Sequence, residues 1–451
     1  MFSNIQKIHL IGAGGVGMSA VGKLLLLKGK RVSGSDLHLN EFTSSLQAMG
    51  AIVHAGHASE QVPADADVAV YTNAATEDNI ERVRARELGI REMSYPELLG
   101  EITKEYDTIA ISGTHGKSTT TAMIGTILEQ AGFDPTVIVG SKASSFEHGN
   151  LRLGKSNWLV LEACEHMESM NKIFPHSVIV TSVEADHLDY YKNLENVISA
   201  FQKFVSQELK GPAIINADDK NSQEYKSVKN AITFGSASAD YVWSNRSYGG
   251  GMQKFVISEK DGAQTQIELK VPGAFNASNA TSAFALSREL GIESDIVARA
   301  LLNYNGLWRR FEHVSEFNGA HIISDYGHHP TAITATLQAA REMYSDNRIV
   351  LLYEPHQHSR TKELFSDFVS CFDKADVLIL SEIYRVSGRT EDENVSSREL
   401  ADAIAKHNPD LETHYSADLV EAEKIARKII KKNDVLIVMG AGDVDQVARN
   451  L

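Results

Sequence analysis

Short, unbroken apolar runs recur along this chain, each closed by glycine, asparagine, aspartate or serine, and stretches with helical spacing lie between them. A run that is apolar throughout, rather than alternating, fits a strand buried on both faces, as in a parallel sheet covered by helices. The pattern predicts strands over 7–11, 31–33, 51–54 and 68–71, with helices over 18–28 and 76–88. Further on it predicts strands over 107–112, 158–162, 177–183 and 213–216, with helices over 119–132, 194–206, 277–290 and 294–303. The stretch 241–271 is rich in β-forming residues, and 245–251 reads as a hairpin loop. The last third predicts strands over 321–324, 349–353, 377–380 and 435–439, alternating with helices that begin at Thr331, Thr361, Ser396 and Asp418. Such alternation places the chain in the α/β class. At 451 residues it is too long for one core, and the pattern divides into three domains, 1–104, 105–310 and 311–451.

Two glycine turns change what these elements can do. The run 107–112 leads into Gly113, Thr114, His115, Gly116, Lys117, Ser118 and Thr119, which open a helix. Strand, glycine turn, lysine and hydroxyl in that order make a phosphate cradle, in which backbone N–H groups hold anionic oxygens, Lys117 adds charge and Ser118 can ligate Mg²⁺. The strict pattern asks for glycine where Ile111 stands, yet the context predicts a nucleoside triphosphate, ATP or a close relative. The middle domain is thus expected to be a P-loop-type ATPase domain with a parallel sheet. Near the start, the run 7–11 meets Gly12, Ala13, Gly14, Gly15, Val16 and Gly17, and Asp36 follows about twenty positions on, as in Rossmann-like dinucleotide-binding folds. The C-terminal domain reads as a second Rossmann-like α/β layer.

The bulk numbers mostly exclude. A net charge of −15 rules out a broad electrostatic grip on nucleic acid or an anionic membrane, so phosphates must be held locally. Cys164 and Cys371 are the two cysteines, far apart in sequence, which suggests neither a disulfide framework nor a cysteine metal cluster. No secretory core and no apolar stretch of membrane-spanning length is evident, so a cytoplasmic protein without membrane insertion is expected. Nothing indicates the oligomeric state.

Carboxylates at strand ends supply the remaining chemistry. Glu162 closes the run 158–162, where ligands sit in open parallel sheets, and can hold Mg²⁺ with Ser118. The run 177–183 leads to Glu184, Ala185, Asp186 and His187; that histidine can ligate a second Mg²⁺ or cap a turn.

Taken together, these segments resemble the Mur ligases, which add amino acids to the peptidoglycan precursor. The resemblance runs nearly the whole chain. It is carried by residues 12–19 and 110–121, by Glu162-Ala163-Cys164-Glu165, and by Glu184-Ala185-Asp186-His187-Leu188-Asp189. Arg309-Arg310-Phe311-Glu312, Asp325-Tyr326-Gly327-His328-His329-Pro330 and Pro355-His356-Gln357-His358-Ser359-Arg360-Thr361 complete it. The last two are similar to the alanine-adding branch.

The resemblance implies a UDP-sugar-binding first domain, an ATP-binding middle domain and an amino-acid-binding last domain. It implies that Gly14, Gly15, Val16 and Gly17 hold a diphosphate of UDP-N-acetylmuramate, with Ser35, Asp36 and His57 near uridine. Lys117 would contact the transferred phosphoryl group, and Ser118, Glu162 and His187 would hold two Mg²⁺ ions. Asn276 and Asn279 would read adenine, Arg310 would offset γ-phosphate charge and Asp325 would meet the ATP ribose or phosphates. His328, His329 and Arg360 would face the sugar carboxylate and L-alanine. Phe275, Ser182 and Ser141 stand where relatives usually have histidine, asparagine and glycine.

The implied reaction is amide formation: a carboxylate attacks the γ-phosphorus, ADP leaves, and the alanine amine displaces phosphate from the acyl phosphate. His329 is the expected base for the amine proton. Residues 94–105 and those near Arg310 are candidate hinges. The rivals are a ligase that recycles a ready-made tripeptide, a nicotinamide-dependent oxidoreductase, and a non-catalytic ATP switch or UDP-sugar sensor.

Overall fold

The computed structural model describes residues 5–385 and 395–451. Its first layer contains β1 (Lys7–Ile11), β2 (Arg31–Asp36), β3 (Ile52–Ala55), β4 (Val68–Tyr71) and β5 (Arg91–Ser94), in the order β3-β2-β1-β4-β5. All neighbours are parallel. The chain steps outward from β1 first to one side and then to the other. The glycine turn after β1 therefore lies at the point where the strand order reverses, where such sheets bind ligands.

The second layer contains β6 (Asp107–Ser112), β7 (Thr136–Ile138), β8 (Leu151–Arg152), β9 (Trp158–Glu162), β10 (Ser177–Val180), β11 (Ala213–Asn216) and β12 (Ala231–Gly235). β6 lies between β9 and β10, parallel to both, so the phosphate loop leaves the sheet from an interior strand. β8 alone runs antiparallel here, against β7. Beyond β12 the chain enters β13 (Tyr241–Gly249).

Contacts group the chain into two compact units. The first runs through Val242 and includes Glu259–Ala263 and Asn279–Leu301, so it holds both layers just described. A buried polar joint ties them. Lys23, on the helix Val16–Leu27, donates to Asn150 Oδ1 at 2.7 Å and to the His148 carbonyl at 2.9 Å. Asn150 in turn donates to the Val16 carbonyl and to Ser19 Oγ. Burial pulls the Lys23 pKa down, and nearby Glu41 works against that shift.

The second unit comprises Trp243–Ser258, Gln264–Ser278 and Leu302–Leu451. In it β14 (Met252–Glu259) pairs antiparallel with β15 (Gln264–Leu269). A further sheet has the order β16 (Glu312–Phe317), β17 (Ala320–Asp325), β21 (Val435–Met439), β18 (Ile349–Tyr353), β19 (Val377–Ser381) and β20 (Glu412–Ser416). Only β16 is antiparallel. The interior strands are the apolar runs of the sequence.

Several expectations shift. β13 continues to Gly249, so the loop expected over 245–251 contracts to Gly250 and Gly251, both with positive φ. Residues 94–105, expected as a hinge, are mostly the helix Tyr95–Thr103, fixed by a Ser94/Glu97 capping box and by buried Leu98, Leu99 and Ile102. The helix expected over 76–88 begins only at Ile80, where the Asn79 side chain caps it. Ser396 and Asp418 prove to be caps of the helices Ser397–His407 and Leu419–Ile429. The helix expected from Thr361 starts earlier, at His358. Among the described residues no helix is long and apolar enough to cross a membrane.

Replacing Lys23 with Met keeps the length of the side chain but strands two buried acceptors. It should lower stability by about 1–3 kcal/mol, read as an earlier denaturant midpoint; an unshifted midpoint would show that the joint contributes nothing.

Candidate functional site

Two helix starts in the first unit differ from the rest. Those at Asn40, Asn79, Ser94, Asn193, His329, Ser396 and Asp418 are closed by a side chain. The helices Val16–Leu27 and Lys117–Gln130 begin after Gly15 and Gly116, with no side-chain cap and no acid in the first turn. Both follow the glycine turns singled out in the sequence, and an open, positive helix end suits an anion.

The phosphate loop is braced from behind. Thr114 N donates to the Ser182 carbonyl at 2.8 Å and His115 N to Ser182 Oγ at 3.1 Å. Thr181 Oγ1 donates to the Ser112 carbonyl at 3.2 Å, and Glu184 N donates to Thr114 Oγ1 at 2.9 Å. His115 Nε2 lies 3.5 Å from Glu184. Gly116 has φ +83°, and a Cβ there would lie 2.4 Å from Asn279 Oδ1. Only glycine fits that turn.

On the open side, Lys117 Nζ lies 2.9 Å from Glu165 Oε2. Burial works against the ammonium charge, but Glu165 more than offsets it, so the pKa is raised. Ser118 Oγ donates to Glu162 Oε2 at 3.1 Å. Two hard oxygens at that spacing match neighbouring corners of a Mg²⁺ octahedron, whose edge is about 3.0 Å for bonds of about 2.1 Å. The Glu162 carboxylate also accepts from Gly140 N. His187 has φ 54°, and its Nε2 is 3.9 Å from both Glu165 Oε1 and Asp186 Oδ2, with the His166 ring 4.6 Å away. Thr119 is buried in the first helical turn. Glu165, the ion-pair partner of Lys117, carries no role in the sequence analysis beyond its place in the Glu162–Glu165 segment; its signal there is a second acid just beyond the end of β9.

The first glycine turn is pinned by its own acid. Asp36 Oδ2 accepts from Gly14 N at 2.8 Å, and Ser35 O from Gly12 N and Ala13 N. Ser35 Oγ lies 2.9 Å from His57 Nδ1 and donates to Glu81 Oε2 at 2.5 Å. Ser35 and Glu81 are fully buried, and His57 is the partly exposed member. Glu81 is held below the usual carboxylate range: burial opposes this, but bonds from His9 and Ser35 prevail. A cavity of about 210 Å³ joins the two regions, lined by Gly17, Tyr95, Ile138, Gly140, Glu162 and Cys164.

The second unit carries the other candidates. Asp325, at the end of β17, accepts from Phe311 N and Gly327 N, both at 2.8 Å, yet its burial raises the carboxyl pKa. Arg309 and Phe311 have φ of 55° and 49°, so both neighbours of Arg310 occupy the left-handed region. The Arg310 guanidinium lies 5.0 Å from the Tyr326 ring centroid. Asn276 donates to the Pro272 carbonyl at 2.7 Å, and Phe275 packs against the core of the third sheet. Arg360 is buried, with Nη1 3.4 Å from His356 Nδ1, and His356 stacks on Tyr384.

The two histidines of the DYGHHP segment differ in tautomer. His328 Nδ1 faces the Tyr326 carbonyl at 3.2 Å and must donate, which leaves Nε2 the lone pair of the neutral ring. His329 Nδ1 accepts from Thr331 N at 3.3 Å as the cap of the helix Pro330–Met343. Its neutral ring therefore carries a proton on Nε2. The base role expected of His329 calls for the other tautomer.

Three family profiles match in succession: "Mur ligase family, catalytic domain" over 7–107, "Mur ligase middle domain" over 111–287, and "Mur ligase, glutamate ligase domain" over 309–442. The UDP-N-acetylmuramate–L-alanine ligase of Geobacter sp. (strain M21) is 38% identical, the match covering 100% of this chain and 98% of that protein. The chain belongs to the Mur ligase family. The enzyme of the same name from Clostridium perfringens (strain 13 / Type A) is also 38% identical, with 98% and 96% covered. The crystal structure of UDP-N-acetylmuramate-alanine ligase MurC from Thermotoga maritima matches with TM-score 0.86 at 30% identity, covering 98% of this chain and 97% of that one. A Thermotoga maritima MurF ligase in complex with ADP shares the fold, with TM-score 0.63, 18% identity, and 87% and 95% covered. The three-domain α/β architecture of the Mur ligases is thus the one expected. Ser182 braces the loop through its hydroxyl.

Beside the second unit's site, Glu354 follows β18 and accepts from Val444 N; burial raises its carboxyl to about 7. An acid held protonated by the fold costs stability as pH rises from its unfolded value toward its folded one. Glu354→Gln should match the parent's melting temperature near pH 4.5. It should then gain a lead that grows to about pH 7 and levels off; a constant gap across that range would exclude the effect. Gly116→Ala should abolish ATP binding, measured calorimetrically, because both φ and Asn279 oppose the added methyl.

Proposed function

We propose that this Mur ligase joins L-alanine to UDP-N-acetylmuramate, converting ATP to ADP and phosphate, as an early step in building the peptidoglycan precursor in the cytoplasm. One observation carries the reading. A phosphate loop whose lysine and serine meet two carboxylates occurs in a chain matched over its whole length by enzymes of that name.

The work divides among residues 1–104 for the UDP-sugar, 105–310 for ATP and 311–451 for the amino acid. Gly14 to Gly17 hold the diphosphate at the open helix end, with Ser35, Asp36 and His57 toward uridine. The cavity running from Gly17 to Glu162 suits the muramic acid between that loop and the nucleotide. Gly113 to Thr119 cradle the triphosphate, with Asn276, Asn279 and Asp325 on its nucleoside and phosphate groups.

In the first half-reaction a sugar-borne carboxylate oxygen bonds to the γ-phosphorus as the bond to ADP breaks. Two anions must meet, and Lys117 and Arg310 offset their repulsion. Ser118 and Glu162 would hold one Mg²⁺, and His187 would help hold a second; bound there, the ions supply further charge neutralisation. In the second half-reaction the alanine nitrogen bonds to the acyl carbon, phosphate departs, and one nitrogen-bound proton must be taken up. Of the two adjacent histidines, His328 has the tautomer of an acceptor at Nε2. His329 donates from Nε2, which suits a carboxylate, and Arg360 provides charge for the same group.

Phosphate release should require UDP-N-acetylmuramate, L-alanine, ATP and Mg²⁺ together. Release with L-Ala-γ-D-Glu-diaminopimelate but not with alanine would transfer the reading to the tripeptide-recycling ligase. Lys117→Ala should lower kcat at least about 100-fold, the scale on which removing one charge-stabilising donor acts. His328→Gln should lose the acidic limb of the kcat–pH profile while His329→Gln keeps it. The reverse outcome would return the base role to His329.

A further inference from the structure

The hairpin of β16 and β17 carries a cluster that the ligase reaction does not use. Its turn is Asn318-Gly319, with φ of 52° and 78°, the left-handed pair that closes a two-residue hairpin with tight register. Glu316 faces His321 across the strands, and His313 faces Ile323. Residues three apart on a regular strand point to opposite faces. Here a bulge between His313 and Ser315 inserts one residue, so His313 and Glu316 share the face of His321.

The result is a compact donor set. His313 Nε2 lies 3.4 Å from His321 Nδ1, and Glu316 Oε1 lies 3.8 Å from the same nitrogen. Two imidazole nitrogens bound to one tetrahedral ion at about 2.05 Å stand about 3.3 Å apart, so the ring pair is already spaced for sharing a metal. All three donor atoms lie within 4.8 Å of one another. Glu316 is exposed and on a flexible stem, free to close the remaining distance. The His321 ring is also held at 5.2 Å from that of Tyr344, so its orientation is partly set in advance.

We propose that His313, Glu316 and His321 form a binding site for a late first-row dication, Zn²⁺ above all, with water completing the coordination. Two imidazoles and one carboxylate suit Zn²⁺, Co²⁺, Ni²⁺ or Cu²⁺, whereas Mg²⁺ favours all-oxygen shells and should be ignored. The site is separate from the residues assigned to ATP. It is built on the hairpin whose other end carries Asp325 and adjoins Arg310, so an ion there would clamp the two strands that present those residues.

The test titrates the untagged full-length protein with Co²⁺ in excess Mg²⁺, which keeps the oxygen-rich ATP-linked sites filled, and follows the visible absorption of tetrahedral Co²⁺. One equivalent should bind with the intense bands of four-coordination, and Zn²⁺ should displace it. His313→Ala and His321→Ala should each weaken that equivalent at least tenfold, and Glu316→Gln by less. All three should leave the metal-free melting temperature and the Mg²⁺-dependent turnover near the parent's. Glu162→Gln should leave the absorption intact. Unchanged binding in both histidine variants, or absorption that vanishes with Glu162→Gln instead, would overturn the proposal.

Discussion

A partly buried lysine paired with one carboxylate is the interaction on which the rest of this molecule depends. The chain is strongly acidic overall, yet its chemistry brings one anion against another, so positive charge has to be built locally. Desolvation works against the Lys117 charge, and Glu165 is the leading influence that raises its pKa. Once the pair exists, its surroundings have little freedom. The lysine must leave the first turn of a helix, that helix must start without a cap, and the glycine before it must turn left-handed against Asn279.

The same economy explains how capping is distributed. At most of the longer helix starts with a described cap, a side chain from Asn, Ser, Asp or His satisfies the amides. At Gly15 and Gly116 no side chain caps the amides. Groups near the loops stabilise the protein scaffold first: the Asp36 carboxylate pins Gly14 N, Ser182 Oγ accepts from His115 N, and Glu184 N donates to Thr114 Oγ1. The loops are therefore shaped before any ligand arrives, which lowers the ordering cost of binding.

In the second unit, polarity is arranged by tautomer as much as by charge. Neighbouring histidines on one turn become an acceptor and a donor, because one faces a carbonyl and the other an amide. Asp325 shows the opposite balance from Glu81. Both are buried and hydrogen-bonded, but bonds prevail at Glu81 and desolvation at Asp325. The difference lies in the partners. A histidine and a serine face Glu81 at close range, whereas backbone amides and more distant arginines face Asp325.

Residue order alone was enough for most interior strands, both glycine turns and the family, but the short Thr136–Ile138 and the part-polar Ala231–Gly235 were not predicted. Parallel strands buried on both faces have to be apolar throughout, and phosphate turns need glycine at set offsets. Edge strands such as Arg91–Ser94, Glu312–Phe317 and Glu412–Ser416 escaped notice, because one half-exposed side lets polar residues interrupt the pattern. Tertiary contacts decided what no linear motif can encode. They made Glu165 the partner of Lys117, gave His328 and His329 opposite proton positions, and turned 94–105 from a supposed hinge into a capped helix. A side chain's proton and charge follow from the groups packed around it, and those come from distant parts of the chain.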